Sequence, residues 1–279
     1  MNGIRAMSAE DYHADKTGGA PSLSSSIAKL LLTASPLHCW LAHPRLNPKY
    51  RPIDSARFDL GSAAHALLLE GEDRMVVVDA ADWRTKAAQT ERDDARAKGM
   101  YPILRHQFYD VTQMVAEARR FIESTELAGI FQRGKPELTA TWTDGEIACR
   151  ARFDWISDDR TVILDYKTTD SAQPEQFIRQ IARLGYDLQA AFYTIAVEEC
   201  AIVTPEFVFL CQEIQEPYAC SLVGLSNTYK AIGRAKVSSA MDRWARCMNN
   251  GQWPAYGKQI AYAEPQPYQV ALMENGEYL

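Results

Sequence analysis

The chain has 279 residues, of which 47% are hydrophobic and 24% charged, and a net charge of −6 at pH 7. That length allows one large or two small domains with a sizeable core and no need for disulfide staples. The acidic balance argues against a nucleic-acid coat protein, which is usually basic, and no run of about 18 apolar residues is present to cross a bilayer.

Taken in order, residues 22–35 (SLSSSIAKLLLTAS) begin with serines able to cap a helix and continue as an apolar stripe. Ser35-Pro36 opens a second short helix, PLHCWLAH. Residues 43–57 hold three prolines with Arg45, Lys49, Arg51 and Arg57 around Tyr50, and read as a basic loop. A helix follows at about 58–70. Residues 84–100 are polar enough to be a solvated helix or a loop. Residues 107–123 carry Phe108, Val111, Val115, Ala118 and Ile122 at helical spacing.

The pattern then turns from helical to alternating. Residues 137–143 (ELTATWT) read as a strand, Asp144-Gly145 as a hairpin turn, and 146–156 as a second strand with Ile147, Cys149, Ala151, Phe153 and Trp155 on one face. TVILDYKTT makes a third strand, so an antiparallel meander is expected. Helices at 174–184 and 186–199 are split by Gly185, strands follow near 206–213 and 217–223, and a helix at 226–249 carries Tyr229, Ile232, Ala240 and Trp244. The expected architecture is a single α/β unit over 1–279: a largely helical part to about 130, then a catalytic sheet with flanking helices from about 131.

The chemistry concentrates at Asp154 and at Asp165-Tyr166-Lys167. Residues two apart on a strand share a face, so Asp165 and Lys167 project together while Val162, Leu164 and Tyr166 point the other way. Asp154, on the neighbouring strand, is expected beside them on the face of Arg150 and Arg152. Two converging carboxylates repel unless a cation lies between them, and hard oxygen ligands select Mg²⁺ or Mn²⁺. A lysine beside such a cation can orient a water, a set suited to phosphodiester hydrolysis. A D-x-K triplet alone also occurs as an ordinary ion pair at a strand end. Here the second carboxylate and the apolar run TVIL place the charges on a buried strand, where an unpaired charge is costly.

His65 shares a helical face with Gly61, whose missing side chain admits a close neighbour; it is either a metal ligand or a core histidine. Gln189 and Tyr193, spaced i and i+4, could orient Lys167 or bind phosphate, or could be a solvated glutamine and a core tyrosine. Arg150, Arg152, Lys135 and the basic loop are candidate contacts to a DNA backbone. The N-terminus lacks the apolar segment of a secretory signal, so a cytoplasmic setting is expected. There Cys39, Cys149, Cys200, Cys211, Cys220 and Cys247, none in a C-x-x-C pair, would stay reduced.

The order G-x-x-x-H, E, D, D-x-K, Q-x-x-x-Y, with LSSSIAKLLLTASPLHCW near the start and WPAY near the end, resembles the PD-(D/E)XK nuclease superfamily. More narrowly it is similar to the RecE-type, exodeoxyribonuclease VIII-like exonucleases of prophages. The resemblance implies a restriction-endonuclease-like mixed sheet flanked by helices. It implies His65, Asp154, Asp165 and the Tyr166 carbonyl as metal ligands, Lys167 as the catalytic lysine, Glu137 as the first-strand glutamate, and Gln189 and Tyr193 as the motif that follows. It implies Mg²⁺, with Mn²⁺ as a substitute, and digestion of one strand of a DNA duplex from its 5′ end. The 3′ single strand so exposed would pass to a RecT-like annealing protein. It also implies a homo-oligomeric ring, toward which the aromatics Trp244, Trp253 and Tyr256 point. An endonuclease or repair nuclease of the same superfamily, or a non-catalytic DNA-binding module, would share these motifs. Some relatives carry a four-cysteine iron–sulfur cluster, which the cysteine spacing here does not support.

Overall fold

A computed structural model describes residues 2–51, 60–71 and 74–277; Arg57 lies outside them. The elements run β1 (Gly3–Ala6), α1 (Ala9–His13), α2 (Ser25–Thr33), α3 (Pro36–Ala42), α4 (Leu60–Leu69), β2 (Met75–Val78), α5 (Lys86–Ala97), β3 (Tyr101–Leu104) and α6 (Arg105–Glu123). They continue with β4 (Gly134–Pro136), β5 (Leu138–Asp144), β6 (Ile147–Arg152), β7 (Trp155–Ser157), β8 (Val162–Thr169), α7 (Pro174–Leu184) and α8 (Tyr186–Ala201). The chain closes with β9 (Glu206–Glu213), β10 (Cys220–Gly224), α9 (Asn227–Asn250) and α10 (Pro267–Glu274).

Local chemistry accounts for many of the boundaries. Ser24 caps α2 by accepting from the Ile27 N–H, and Pro36 opens α3. Gly185, at φ 70°, ends α7 and starts α8, because the left-handed region costs a glycine little. The polar segment 84–100 resolves as the helix α5, capped by Thr85.

The central sheet has the order β10-β9-β8-β7-β4 and is mixed. The β8–β9 pair is parallel, with Asp165 opposite Phe209, and the crossover between them carries α7 and α8. The β7–β8, β4–β7 and β9–β10 pairs are antiparallel. A second sheet has the order β1-β5-β6, and the hairpin β5–β6 turns at Asp144-Gly145 as expected. The segment before residue 130 is less helical than the sequence suggests: β1 joins the second sheet, and β2 and β3 form a parallel pair.

The expected meander is corrected in one respect. The stretch 146–156 is not one strand. It breaks at Phe153-Asp154 into β6, which stays in the second sheet, and β7, which enters the central sheet. The chain makes the matching switch between β4 and β5, at Glu137. The two switch points face each other, with the Glu137 N–H donating to the Asp154 carbonyl at 3.2 Å and the Phe153 N–H to the Leu138 carbonyl at 2.9 Å.

Strand β8 separates two cores. Ile163 joins a large core with Phe153, Phe177, Phe192, Phe207, Phe209 and Trp244. Leu164 and Tyr166 join a second core with Leu67 of α4 and Met114 and Ile122 of α6. Burying each such side chain is worth roughly 1.5–3 kcal/mol. Gly233 permits the tight α8–α9 contact within the large core, since a Cβ there would lie 2.3 Å from the Asp187 carbonyl oxygen. Trp244 is fully buried in the large core, Trp253 is half-buried and packs edge-on to it at 5.4 Å, and Tyr256 is exposed. No helix among the described residues is long and apolar enough to cross a membrane.

Candidate active site

The site forms where the two sheet switches meet β8 and α4. Alternation along β8 sends Asp165 and Lys167 to one face, as expected, while Tyr166 goes to the other and bonds Gln212 in the second core. Asp154 does not share a strand face with Arg150 and Arg152. It sits in the gap between β6 and β7, where the interrupted ladder frees its carboxylate to accept the backbone N–H of Tyr166 at 3.0 Å. Glu137 sits in the opposite gap at φ 57°, a left-handed conformation uncommon for a side chain of this type. Strain of this kind, of the order of 1–3 kcal/mol, persists where surrounding structure imposes it and clusters at functional sites.

α4 brings His65 over both acids. Its Nε2 lies 3.3 Å from Asp154 Oδ2 and 3.9 Å from Glu137 Oε1. One donor atom from each of His65, Glu137 and Asp154 falls within 4.8 Å of the other two. Asp165 lies deeper, fully buried. Its Oδ1 accepts from the Gln189 amide at 2.9 Å, and its Oδ2 accepts from the Lys167 ammonium in a close ion pair. Tyr193 is buried edge-on to Phe153 at 5.5 Å, with its hydroxyl beside the Gln189 amide. α8 therefore presents Gln189 and Tyr193 together behind Asp165.

The electrostatics follow from burial against charge. Burial alone would lower the His65 pKa, but Asp154, Glu137 and Asp165 outweigh it and push it up to about 9. Burial pushes Asp165 up to about 7, against the pull of Lys167 and with the push of Asp154. Burial works against the Lys167 charge, yet Asp165 and Asp154 hold its pKa well above the usual lysine value. Burial also raises Glu137, although Arg152 opposes it. Asp154 runs the other way: burial disfavours its charge, but His65 brings its pKa below the ordinary range. Three carboxylates held this close, two of them pushed toward protonation, form a site that a divalent cation would relieve. The imidazole of His65 and the hard carboxylate oxygens of Glu137 and Asp154, whose donor atoms lie within 4.8 Å of one another, fit such an ion.

The arginines expected at a DNA backbone are engaged elsewhere. Arg150 is 4% exposed; it pairs with the fully buried Asp15 at 3.0 Å and donates to Ser22. Its charge is spent inside the fold, which corrects the expected DNA contact. Arg152 pairs with Glu137 and donates to the Met7 carbonyl at 2.7 Å, so it holds a site carboxylate and is not free for phosphate. Both guanidinium groups lie near the Tyr12 ring, at 5.5 and 6.0 Å from its centroid. Lys135, Arg51 and Arg45 are exposed, but Arg45 donates to the Gly19 and Ala20 carbonyls. The sequence reading missed two partners. Tyr12 braces the arginines, a contact that leaves no local signal in its helix. Tyr186, whose ring centroid lies 5.2 Å from Lys167 Nζ, directly follows the Gly185 helix break and could have been noticed there.

The fold has a counterpart among solved structures. A solved structure described as a candidate exonuclease from Eubacterium rectale superposes with a TM-score of 0.63 at 14% identity, over 95% of this chain and 98% of that one. A second, SSO0001, matches at 13% identity over 66% of this chain and 86% of that one, with a TM-score of 0.28. No curated protein matches the chain. Residues 24–266 match the PDDEXK-like domain of unknown function DUF3799, a span that covers the paired acids, the lysine and the central sheet, and the chain belongs to that PDDEXK-like family.

Proposed function

We propose that the protein is a Mg²⁺-dependent exonuclease of double-stranded DNA, with Mn²⁺ able to substitute, acting 5′→3′ and leaving 3′ single-stranded tails for a strand-annealing partner. The observation that supports this most is the convergence of His65, Glu137 and Asp154 in front of the buried Asp165–Lys167 pair. In this reading His65, Asp154, Asp165 and the Tyr166 carbonyl hold the ion, and Glu137, 3.9 Å from His65, is available to it as well. A bound divalent ion would polarise a phosphate oxygen and lower the pKa of water.

The chain's own groups do the rest. The Tyr166 N–H and His65 fix the Asp154 carboxylate. Gln189 fixes Asp165, with Tyr193 behind it. Lys167, held cationic by two acids, orients the attacking water and stabilises the negative charge that develops on the phosphate. Exposed Arg51 and Lys135 are available to a DNA backbone. Assembly into a homo-oligomeric ring finds support in the C-terminal tail, where Ile260, Tyr262, Tyr268 and Met273 are exposed and α10 buries none of its residues. Light scattering at micromolar concentration should then show a stable oligomer, and a persistent monomer would overturn that part.

The function is tested with 5′- and 3′-labelled linear duplexes beside a closed circle, each with Mg²⁺ and with EDTA. The reading requires EDTA-sensitive loss of the 5′ label as mononucleotides while the circle stays intact. Cleavage of the circle would make the protein an endonuclease, and binding without cleavage in either metal would make it a DNA-binding module.

A further inference from the structure

Beside Lys167 an open cleft of about 600 Å³ runs between the end of β8, α7 and the first turns of α4 and α6, within the ~300–1,000 Å³ usual for small-ligand sites. One wall is aromatic: Tyr186 stacks on Phe177 with centroids 5.6 Å apart and planes 21° from parallel. The polar side chains lining the cleft are Gln107, Thr168, Thr169, Asp170 and Gln180; Thr169 also bonds the Ser171 backbone, and the Gln107 amide oxygen accepts from the Leu104 N–H. Among the described residues lining it there is neither lysine nor arginine. The Asp170 carboxylate disfavours a phosphate here. Amide, hydroxyl and carboxylate groups against an aromatic wall instead match a nucleobase, whose face stacks and whose edge donates and accepts hydrogen bonds. The cations lie just outside, where Arg179 and Arg183 are exposed one turn apart on α7.

We propose that this cleft is a nucleobase pocket that takes one unpaired base from the end of the DNA, seating it against Tyr186 so that its phosphate falls beside Lys167. Asp170 accepts from an exocyclic amine, and the α7 arginines carry the backbone leading in. The proposal rests on the nuclease reading for its biological meaning, but binding tests it independently.

The test measures binding of the full chain in EDTA, by anisotropy, to a duplex with a two-nucleotide unpaired end, compared with the same duplex lacking the bases at that end. The unpaired end is placed at the 5′ terminus in one series and at the 3′ terminus in another. Removing the bases should weaken binding at one terminus by roughly 5- to 150-fold, the range for loss of one stacked base. Gln180→Trp, which puts a bulky ring into the cleft, should erase that difference. Gln180→Ala should narrow it and carries the test if the larger side chain prevents folding, as read by circular dichroism. Equal binding of intact and base-free ends by the wild-type chain overturns the proposal, as does a folded Gln180→Trp chain that still discriminates. Cleavage in Mg²⁺ with base-independent binding removes the pocket alone. Base-dependent binding with no cleavage of any duplex in Mg²⁺ or Mn²⁺ keeps the pocket and removes the nuclease reading.

Discussion

Lys167 is the residue whose role can be separated most cleanly from folding. It lies two positions from Asp165 on the same face of β8, and its charge is held by two acids. Removing it would strand a buried carboxylate, except that burial already pushes Asp165 up to about 7, so the carboxyl can take a proton and stay neutral. Lys167→Ala should therefore fold, bind duplex nearly as well as wild type with Ca²⁺ present, and cleave slower by on the order of 10²–10³, the loss expected for one stabilising donor. Single-turnover rates and affinities on one 5′-phosphorylated duplex decide it. A wild-type rate would make the pair an ordinary salt bridge, and parallel loss of binding would make Lys167 a phosphate contact. His65 sets the pH dependence. Its pKa rises from the ordinary 6.5 to about 9 in the metal-free fold, so it contributes stability that is complete below about pH 6.5 and lost as pH rises through 9. Asp165, raised from 3.8 to about 7, acts in the same sense at lower pH. A metal must displace these protons, so Mn²⁺ affinity should strengthen from pH 6 to 9. Calorimetry at pH 7.5 in two buffers of different ionisation heat should show proton release. His65→Ala should reduce that release and weaken binding, and unchanged release would return His65 to a purely structural role.

At the scale of elements, Glu137 and Asp154 reach the site because both chain segments change sheets at those residues. Arg152, the last residue of β6, is the clamp on that junction: it pairs with Glu137, donates to the Met7 carbonyl and lies near the Tyr12 ring. Arg152→Ala should release Glu137 from its left-handed pose and weaken Mn²⁺ binding about tenfold or more, as loss of a group that orients a metal ligand commonly does. Arg152→Lys should recover part of the affinity, since it restores charge without the two-pronged geometry. A purely structural arginine would lower the melting temperature and leave the Mn²⁺ titration of the folded fraction unchanged. Much of this architecture was legible in the sequence. The D-x-K strand, the Asp144-Gly145 hairpin, the Gly185 break and the capped α2 are local signals, and each sits where its residues predict. The sheet switch was not legible, because Ile147, Cys149, Ala151, Phe153 and Trp155 keep perfect alternation across a break that only tertiary pairing imposes. Arg150 and Arg152 misled for a related reason: their place on the polar face of a strand predicts solvent, but the N-terminal segment that covers them lies more than 120 residues away in sequence and supplies Asp15, Ser22 and Met7.

For the molecule as a whole, the site joins parts that otherwise pack separately. His65 comes from α4 in the second core, Glu137 and Asp154 from the junctions between the two sheets, and Asp165 from the strand that divides the cores. A cation bound among them would cross-link these parts only in the folded state, so its binding energy adds to folding stability. At about 100 times its dissociation constant that contribution is ~2.7 kcal/mol. With ~2–4 °C per kcal/mol for chains of about this size, Mg²⁺ or Mn²⁺ should raise the melting temperature by roughly 5–10 °C over EDTA. Ca²⁺ should stabilise too, because the effect needs binding and not turnover. Asp154→Asn keeps the side-chain oxygen that accepts from the Tyr166 N–H but removes the charge shared with His65 and the cation, so it should abolish most of the shift. It should disturb the metal-free melting temperature far less. Differential scanning calorimetry of both chains, in EDTA and across a Mn²⁺ series, provides the comparison. An equal metal-induced shift in the variant would place the stabilising cation elsewhere on the protein and remove Asp154 from the ligand set.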